Sequence, residues 1–284
     1  MNVESRPKPN VLLTDLAFPE SPRWRDGRLW VSDWGAGEVV TLDLDGNREV
    51  VASLPSLMCI DHLPDGRLLI VSSADRRLLR REPDGSLVTH ADLASLGGTP
   101  WNDIVVDGRG NTYVNNIGFD FPDGEFAPGI VALVTPDGVA REVADGLAFP
   151  NGMAVTPDNA TLVVAESYGQ KLTAFDIAAD GTLSGRRTWA AVEDHPDGIC
   201  LDTDGAIWYG DVGTGRCVRV REGGEVLDVI ELDRGCFACV LGGPNRRTLF
   251  MVANTWGGAE HEDGGARMGQ VLSVDAPAAG IGWP

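Results

Sequence analysis

The chain of 284 residues is long enough to bury a sizeable core, and its 36 glycines and 17 prolines favour many turns and few long helices. Its 23 Lys and Arg residues against 42 Asp and Glu residues give a formal charge of −19, which repels phosphate backbones and anionic lipids. Nucleic acid and membrane surfaces are therefore excluded as favourable partners. The first residues lack the apolar core of a signal peptide, and no apolar run approaches the roughly 20 residues that span a bilayer, so we expect a cytoplasmic protein.

One pattern recurs six times along the chain: a short apolar strand, a turn built on Asp-Gly or a similar pair, and a second apolar strand. In chain order the repeats read WRDGRLWVSD, LPDGRLLIVS, VDGRGNTYVN, TPDNATLVVAE, DTDGAIWYGD and GPNRRTLFMVA. Their turns follow one another at intervals of 39, 44, 49, 46 and 41 residues, centred on Asp26, Asp65, Arg109, Asp158, Asp204 and Asn245. Intervals of about 40 to 50 residues are typical of β-propeller blades.

The fourth repeat shows a whole predicted blade. It contains four strand-length runs separated by turn residues, namely GMAVTP, TLVVAES, KLTAFDI and RRTWAAV. The sixth repeat supplies only three runs, ACVLG, TLFMVA and GQVLSVD, whereas VLLTD at 11–15 precedes the first repeat without a partner. We therefore predict an all-β fold, one six-bladed β-propeller domain over residues 1–284, with four antiparallel strands per blade and the last blade closed by the N-terminal strand.

Oxygen-bearing side chains stand just before the first strand of four repeats. Asn102, Asn151 and Asp197 each lie seven positions before their turn residue, and Glu20 lies six before its own. Equivalent positions in a propeller line the mouth of the central channel. Two carboxylates and two amides there suit one divalent cation, with Ca²⁺ as the first choice and Zn²⁺, Mg²⁺ or Mn²⁺ as alternatives. The plainer interpretation is that Asn-Gly, Asp-Gly and Pro-Glu are ordinary turn formers.

The same positions carry a family resemblance. The segments FPESPRW, WNDIVVDGRGNTYV, FPNGMAVTPDNATLVVAES and PDGICLDTDGAIWYGD resemble the senescence marker protein, gluconolactonase and luciferin-regenerating enzyme-like family in order and spacing. This resemblance implies a six-bladed propeller with one catalytic divalent metal in its channel and lactone hydrolysis as the commonest activity. It implies Glu20, Asn151 and Asp197 as metal ligands. Asn102 would lie beside the metal and its water or substrate, and Asp197 would act as general base.

The chain departs from the sugar-lactone members of that family at two positions. Those members have an arginine for substrate hydroxyls two residues before the Asn of an N-D-G segment; here that position is Pro100 and the segment reads N-D-I. We therefore expect a substrate less polar than a free sugar lactone. The candidate substrate-binding residues are Asn102, Trp101, Phe149, Met58, Phe119, Trp256 and His195. Core packing is the alternative role of the aromatic residues, and a solvated loop that of His195. Polar residues predicted on the same rim offer the opposite specificity, since they would hold hydroxyls: Asn115, Asn116, Asp211, Asn254 and Glu260.

The sequence thus predicts a metal-dependent hydrolase of a lactone or related small-molecule ester, working as a monomer or weak homo-oligomer. Two alternatives stay open. A metal-stabilised enolate would support elimination, retro-aldol or cyclisation chemistry, and a propeller that only binds a ligand would need no catalysis. Buried carboxylates speak against the second alternative because they are costly unless paired or metallated. The odd number of cysteines, five, predicts reduced and buried thiols.

Overall fold

The fold consists entirely of β-strands and their connections. The computed structural model describes residues 8–55, 57–98, 100–255 and 267–282, and these form 24 strands in six antiparallel sheets of four. Over those ranges there is no helix, and hence no helix long and apolar enough to cross a membrane. The predicted all-β architecture, a six-bladed propeller with four antiparallel strands per blade, is confirmed.

The blades follow the sequence repeats. The first is β2 (Pro19–Arg25), β3 (Arg28–Asp33), β4 (Glu38–Leu42) and β5 (Arg48–Ser53). The second is β6 (Leu57–His62), β7 (Leu68–Ser72), β8 (Arg77–Arg81) and β9 (Leu87–Asp92). The third is β10 (Trp101–Val106), β11 (Thr112–Asn116), β12 (Gly129–Val134) and β13 (Ala140–Leu147).

The other three blades repeat this order. The fourth is β14 (Pro150–Val155), β15 (Thr161–Glu166), β16 (Lys171–Ile177) and β17 (Leu183–Ala191). The fifth is β18 (Pro196–Leu201), β19 (Ile207–Asp211), β20 (Arg216–Val220) and β21 (Val226–Glu231). The sixth is β22 (Gly235–Gly242), β23 (Thr248–Asn254), β24 (Gly269–Asp275) and, as its outermost strand, β1 (Asn10–Leu16).

The N-terminal strand closes the ring, as predicted. β1 pairs antiparallel with β24, and Leu13 lies opposite Val271. Leu16, at the end of β1, is fully buried against the core shared by the first and sixth blades. The closure therefore joins the two ends of the chain and covers a sheet edge that would otherwise be unpaired.

The first strands of the six blades surround the propeller axis. Each contacts the first strand of the next blade, from β2 through β6, β10, β14, β18 and β22 back to β2. Apolar clusters fill the spaces between neighbouring blades, for example between the second and third. All five cysteines are buried and none forms a disulfide, which confirms the expectation for them.

Every first strand is irregular close to its start. The pairing register with the second strand shifts between Glu20 and Arg23 in the first blade, and it shifts at the matching place in the other five. Such a bulge bends the strand and re-aims a side chain. The polar residues predicted at the channel mouth fall within these bulges, so the interpretation of Asn151-Gly152 and Asp197-Gly198 as ordinary turns is wrong.

Glycines beside two of these residues allow the first strands to approach closely. A Cβ atom on Gly152 would lie 2.5 Å from the carbonyl oxygen of Asp197 in the next blade. A Cβ atom on Gly198 would lie 2.2 Å from the Cβ atom of Ala238. Real Cβ contacts are longer than this, so only glycine fits where β14, β18 and β22 converge.

Candidate metal centre

Four polar side chains from four blades meet at the mouth of the channel. Glu20, Asn102, Asn151 and Asp197 each lie one residue inside the start of their first strand. The Nδ2 of Asn102 donates a hydrogen bond of 3.3 Å to the Oδ1 of Asn151. Asp197 is 8% exposed, and the other three are half-buried. The predicted residues are therefore brought together, with their amide and carboxyl groups on one surface.

The pKa values of the two carboxyl groups of this set are both raised. Burial raises the pKa of Glu20 to about 8, and the negative charge of Asp103 adds to the rise. Burial also raises the pKa of Asp197 well above its usual range, and the nearby charge of Glu20 contributes. Hydrogen bonding from Asn151 opposes the effect at Asp197. The charge of Arg23 opposes the rise at Glu20, whereas the charges of Glu20 and Asp103 both disfavour ionisation of Asp197.

Buried polar side chains hold this arrangement in place. Asn115 donates its Nδ2 to the backbone carbonyl of Asn151, at 2.6 Å, and accepts the backbone N–H of Asp103, at 3.1 Å. Ser167 accepts a hydrogen bond of 3.3 Å from the Nδ2 of Asn151 and donates its own hydroxyl to the carbonyl of Pro196, at 2.8 Å. These two side chains connect the first strands of the third, fourth and fifth blades and fix the Asn151 amide.

The donor set fits a hard divalent cation. Carboxylate and amide oxygens are what Ca²⁺ and Mg²⁺ prefer, and a positive charge between Glu20 and Asp197 would remove their mutual repulsion. Within the described ranges, no three His, Cys, Asp or Glu side chains group as a metal site. A cation here would therefore need the amide oxygen of Asn151 as well as the two carboxylates.

A buried ion cluster lies deeper in the channel, and sequence reasoning missed it. The Arg23 guanidinium lies 3.5 Å from the Asp61 carboxylate and 3.6 Å from that of Asp103, and it donates a hydrogen bond of 2.7 Å to the carbonyl of Ile104. All three charged residues are less than 10% exposed. Arg23 and Asp61 each lie three residues after a mouth position, Glu20 and Met58 respectively. Comparing the repeats at this offset would have identified both residues from the sequence.

The opposite end of the channel contains a cavity of about 690 Å³. It is lined where the first strands end, by residues such as Arg25, His62 and Arg246. None of the four candidate residues contributes to it. Arg23 and Asp61 of the buried ion cluster also line this cavity.

Comparison with known proteins places the chain in a family. Residues 18–255 match the SMP-30/Gluconolactonase/LRE-like region. The chain belongs to this family. The matched range includes all four candidate residues and excludes β1, the strand that closes the ring.

Individual relatives are distant. The chain is 27% identical over 207 residues to a diisopropyl-fluorophosphatase from Loligo vulgaris, and the match spans 63% of this chain and 64% of that enzyme. The crystal structure of a calcium-binding protein, regucalcin, from Agrobacterium tumefaciens superposes with a TM-score of 0.81 at 22% identity, covering 96% of this chain and 95% of the other. A gluconolactonase from Xanthomonas campestris superposes with a TM-score of 0.75 at 25% identity, covering 94% and 88%.

The other predicted substrate-binding residues differ in their accessibility. Phe149 and Met58 are half-buried and Phe119 is buried, whereas His195 is exposed on the loop before β18. Trp101 has no exposed surface and packs in the core between the second and third blades. Adjacent residues of a strand face opposite ways, so Trp101 points into the core while Asn102 points to the channel mouth. The prediction that Trp101 contacts the substrate is therefore wrong. Trp256 lies outside the described residues.

Proposed function

We propose that this protein is a divalent-metal-dependent hydrolase that opens a lactone or a related ester, with Asp197 as general base. The observation that carries the proposal is the convergence of two mutually repelling carboxyl groups and two amides, from four separate blades, at the channel mouth. Membership of the family supports the same reaction class, because one relative is a gluconolactonase. Ca²⁺ is the first choice of cation, since the donors are all oxygens and a structural relative is a calcium-binding protein.

The residues have distinct roles in this reaction. A divalent cation, when bound by Glu20, Asn151 and Asp197, polarises a carbonyl and lowers the pKa of water. Asp197 accepts a proton from water as the water oxygen bonds to the carbonyl carbon. The ring C–O bond then breaks, the leaving alkoxide takes up that proton, and a hydroxy acid is released. The Asn102 amide lies beside Asn151, where it can orient water or substrate by hydrogen bonding.

Hydrolysis of an organophosphate, in which water displaces a leaving group such as fluoride from phosphorus, is a second candidate. It would use the same residues, since a polarised phosphoryl oxygen and an activated water are its requirements too. The likeness to a diisopropyl-fluorophosphatase favours it over the non-hydrolytic reactions that the sequence left open.

The test is an assay of hydrolysis with and without metal. Lactone opening releases acid, so a pH indicator follows it with δ-valerolactone, gluconolactone and, for the second candidate, diisopropyl fluorophosphate. We expect turnover with Ca²⁺ or one of the three alternative cations, loss of turnover in excess chelator, and recovery on adding the cation back. Turnover that chelator leaves unchanged, or no turnover of any of these compounds with any of the four cations, would contradict the proposal.

A further inference from the structure

Five aromatic side chains form one group on the rim of the candidate metal centre. We call this group, consisting of Phe119, Phe121, Phe126, Phe149 and Tyr168, the rim aromatic cluster. Three of its members come from the connection between β11 and β12, one precedes β14 and one follows β15. Their ring centroids are 4.9 to 6.2 Å apart in seven pairs. Tilted and edge-on aromatic contacts at these distances are favourable, so the rings stabilise one another as a single aromatic surface.

The cluster borders the candidate metal centre directly. Phe149 is two residues before Asn151, and its carbonyl accepts the backbone N–H of Ser167 at 3.0 Å. Ser167 in turn accepts the hydrogen bond from the Asn151 amide, and Tyr168 is the next residue. The rings of Phe149 and Tyr168 are 4.9 Å apart. The aromatic surface and the Asn151 ligand position are thus held by the same short segments.

Two rings of the cluster are strongly exposed to solvent. Phe126 is 51% exposed and Tyr168 is 49% exposed, and their centroids lie 5.9 Å apart. Phe149 has a left-handed backbone with φ of 57°, which is unusual for a bulky residue and costs free energy. Exposed apolar rings in contact, beside a strained residue at a channel mouth, are typical of a ligand-binding surface.

The described polar side chains that were candidates for binding sugar hydroxyls are buried and hydrogen-bonded within the protein. Asn115, Asn116, Asp211 and Asn254 are each less than 5% exposed. Asn115 bonds two backbone groups, and Asn116 accepts the N–H of Gly118 at 2.9 Å. Asp211 accepts backbone N–H groups from the loops around it, and Asn254 bonds backbone on both sides of its amide. These residues hold the rim loops, and Glu260 lies outside the described residues.

We infer that the natural substrate carries an aryl or alkyl arm that packs on Phe126 and Tyr168 while its ester group lies at the metal centre. This inference rests on the proposed hydrolase function and names its substrate class. Phe126 and Tyr168 are then specificity-determining residues. They act on binding of the arm, because they are the two most exposed rings of the cluster.

The test compares three lactones on wild-type protein and on two variants. The lactones are δ-valerolactone, a phenyl-substituted δ-lactone and gluconolactone. In the wild type, kcat/KM for the phenyl lactone should exceed that for δ-valerolactone by about tenfold or more, which corresponds to about 1.4 kcal/mol. Phe126→Ala and Tyr168→Ala should each lower kcat/KM for the phenyl lactone much more than kcat/KM for δ-valerolactone, and so remove most of that advantage. Val226→Ala, at a position 51% exposed in the outer strand of the fifth blade, is the matched control and should change neither rate.

A binding measurement separates this inference from the proposed function. Calorimetry with the phenyl-substituted lactam, which is not readily hydrolysed, should show tighter binding than with the unsubstituted lactam and a negative heat-capacity change, both lost in Phe126→Ala. A preference for gluconolactone, or a phenyl advantage that survives both aromatic variants, would overturn the inference and leave the hydrolase function standing. Selective lactam binding without hydrolysis of any ester would sustain the aromatic-arm site and overturn the hydrolase function.

Discussion

Asp197→Asn should lower kcat for lactone hydrolysis by about 10²- to 10⁴-fold, the usual contribution of a general base. The substitution keeps the size of the side chain and one oxygen that can bind a cation, but an amide does not accept the proton of the attacking water. The acid limb of the pH–rate profile, on which Asp197 must lose its proton, should disappear in the variant. Steady-state kinetics at saturating cation measure both effects.

The control is the same substitution at an exposed site in the same blade. Asp204 lies in the turn between β18 and β19, where its carboxylate contacts only Arg219 among cationic groups of the described chain and is 64% exposed. Asp204→Asn should therefore leave kcat unchanged. A cation-loaded Asp197→Asn protein that keeps more than about a tenth of the wild-type rate would place the base elsewhere, and His195, on the adjoining loop, would be the next residue to replace.

Arg23→Met should lower the free energy of unfolding by about 3 to 5 kcal/mol at pH 7, because it leaves two buried carboxyl groups without their cation. Burial already raises the pKa of Asp61 and of Asp103, and Arg23 opposes that rise in both. Without Arg23 the folded protein should bind protons on these groups more tightly than the unfolded chain does. The loss of stability should consequently shrink as the pH is lowered from 7 towards 5, where protonation removes the unpaired charges.

Two further variants make this result specific. Arg23→Met combined with Asp61→Asn and Asp103→Asn should recover more than half of the loss, since no buried charge is left over. Arg48→Met removes an exposed partner of Glu38, at 3.2 Å, and should cost less than about 1 kcal/mol. Urea unfolding at pH 7 and pH 5 provides the comparison. A loss below about 1 kcal/mol for Arg23→Met, or no recovery in the combined variant, would show that the cluster does not depend on its arginine.

The blades could be predicted because each is a local pattern. The runs TLVVAES and KLTAFDI correspond closely to β15 and β16, since alternation and turn residues act within a few positions. The closure by β1 followed from counting strands, one missing in the last repeat and one spare before the first. The shared offset of Asn102, Asn151 and Asp197 from their turns reflects a real structural equivalence, because all three fall in the same bulge of the first strand.

The contacts that cross blades were not predictable in the same way. Arg23 meets Asp103 from 80 positions away, and no local pattern pairs them. The use of Asn115 to hold Asn151, rather than a substrate, likewise depends on how the third blade faces the fourth. Trp101 was expected at the mouth from its neighbour Asn102, but strand alternation sends adjacent side chains in opposite directions.

The most direct test of the account is a calorimetric titration of metal-free protein with Ca²⁺ at pH 6 and pH 8. We predict one site per chain and at least about tenfold weaker binding in Glu20→Gln. Binding should be tighter at pH 8 than at pH 6, because the raised carboxyl pKa values mean that protons must leave as the cation binds. Glu38→Gln, a substitution of a surface carboxylate in the same blade, should bind as the wild type does. No saturable binding of Ca²⁺, Zn²⁺, Mg²⁺ or Mn²⁺, or equal affinity in the wild type and Glu20→Gln, would contradict a metal centre at this channel mouth.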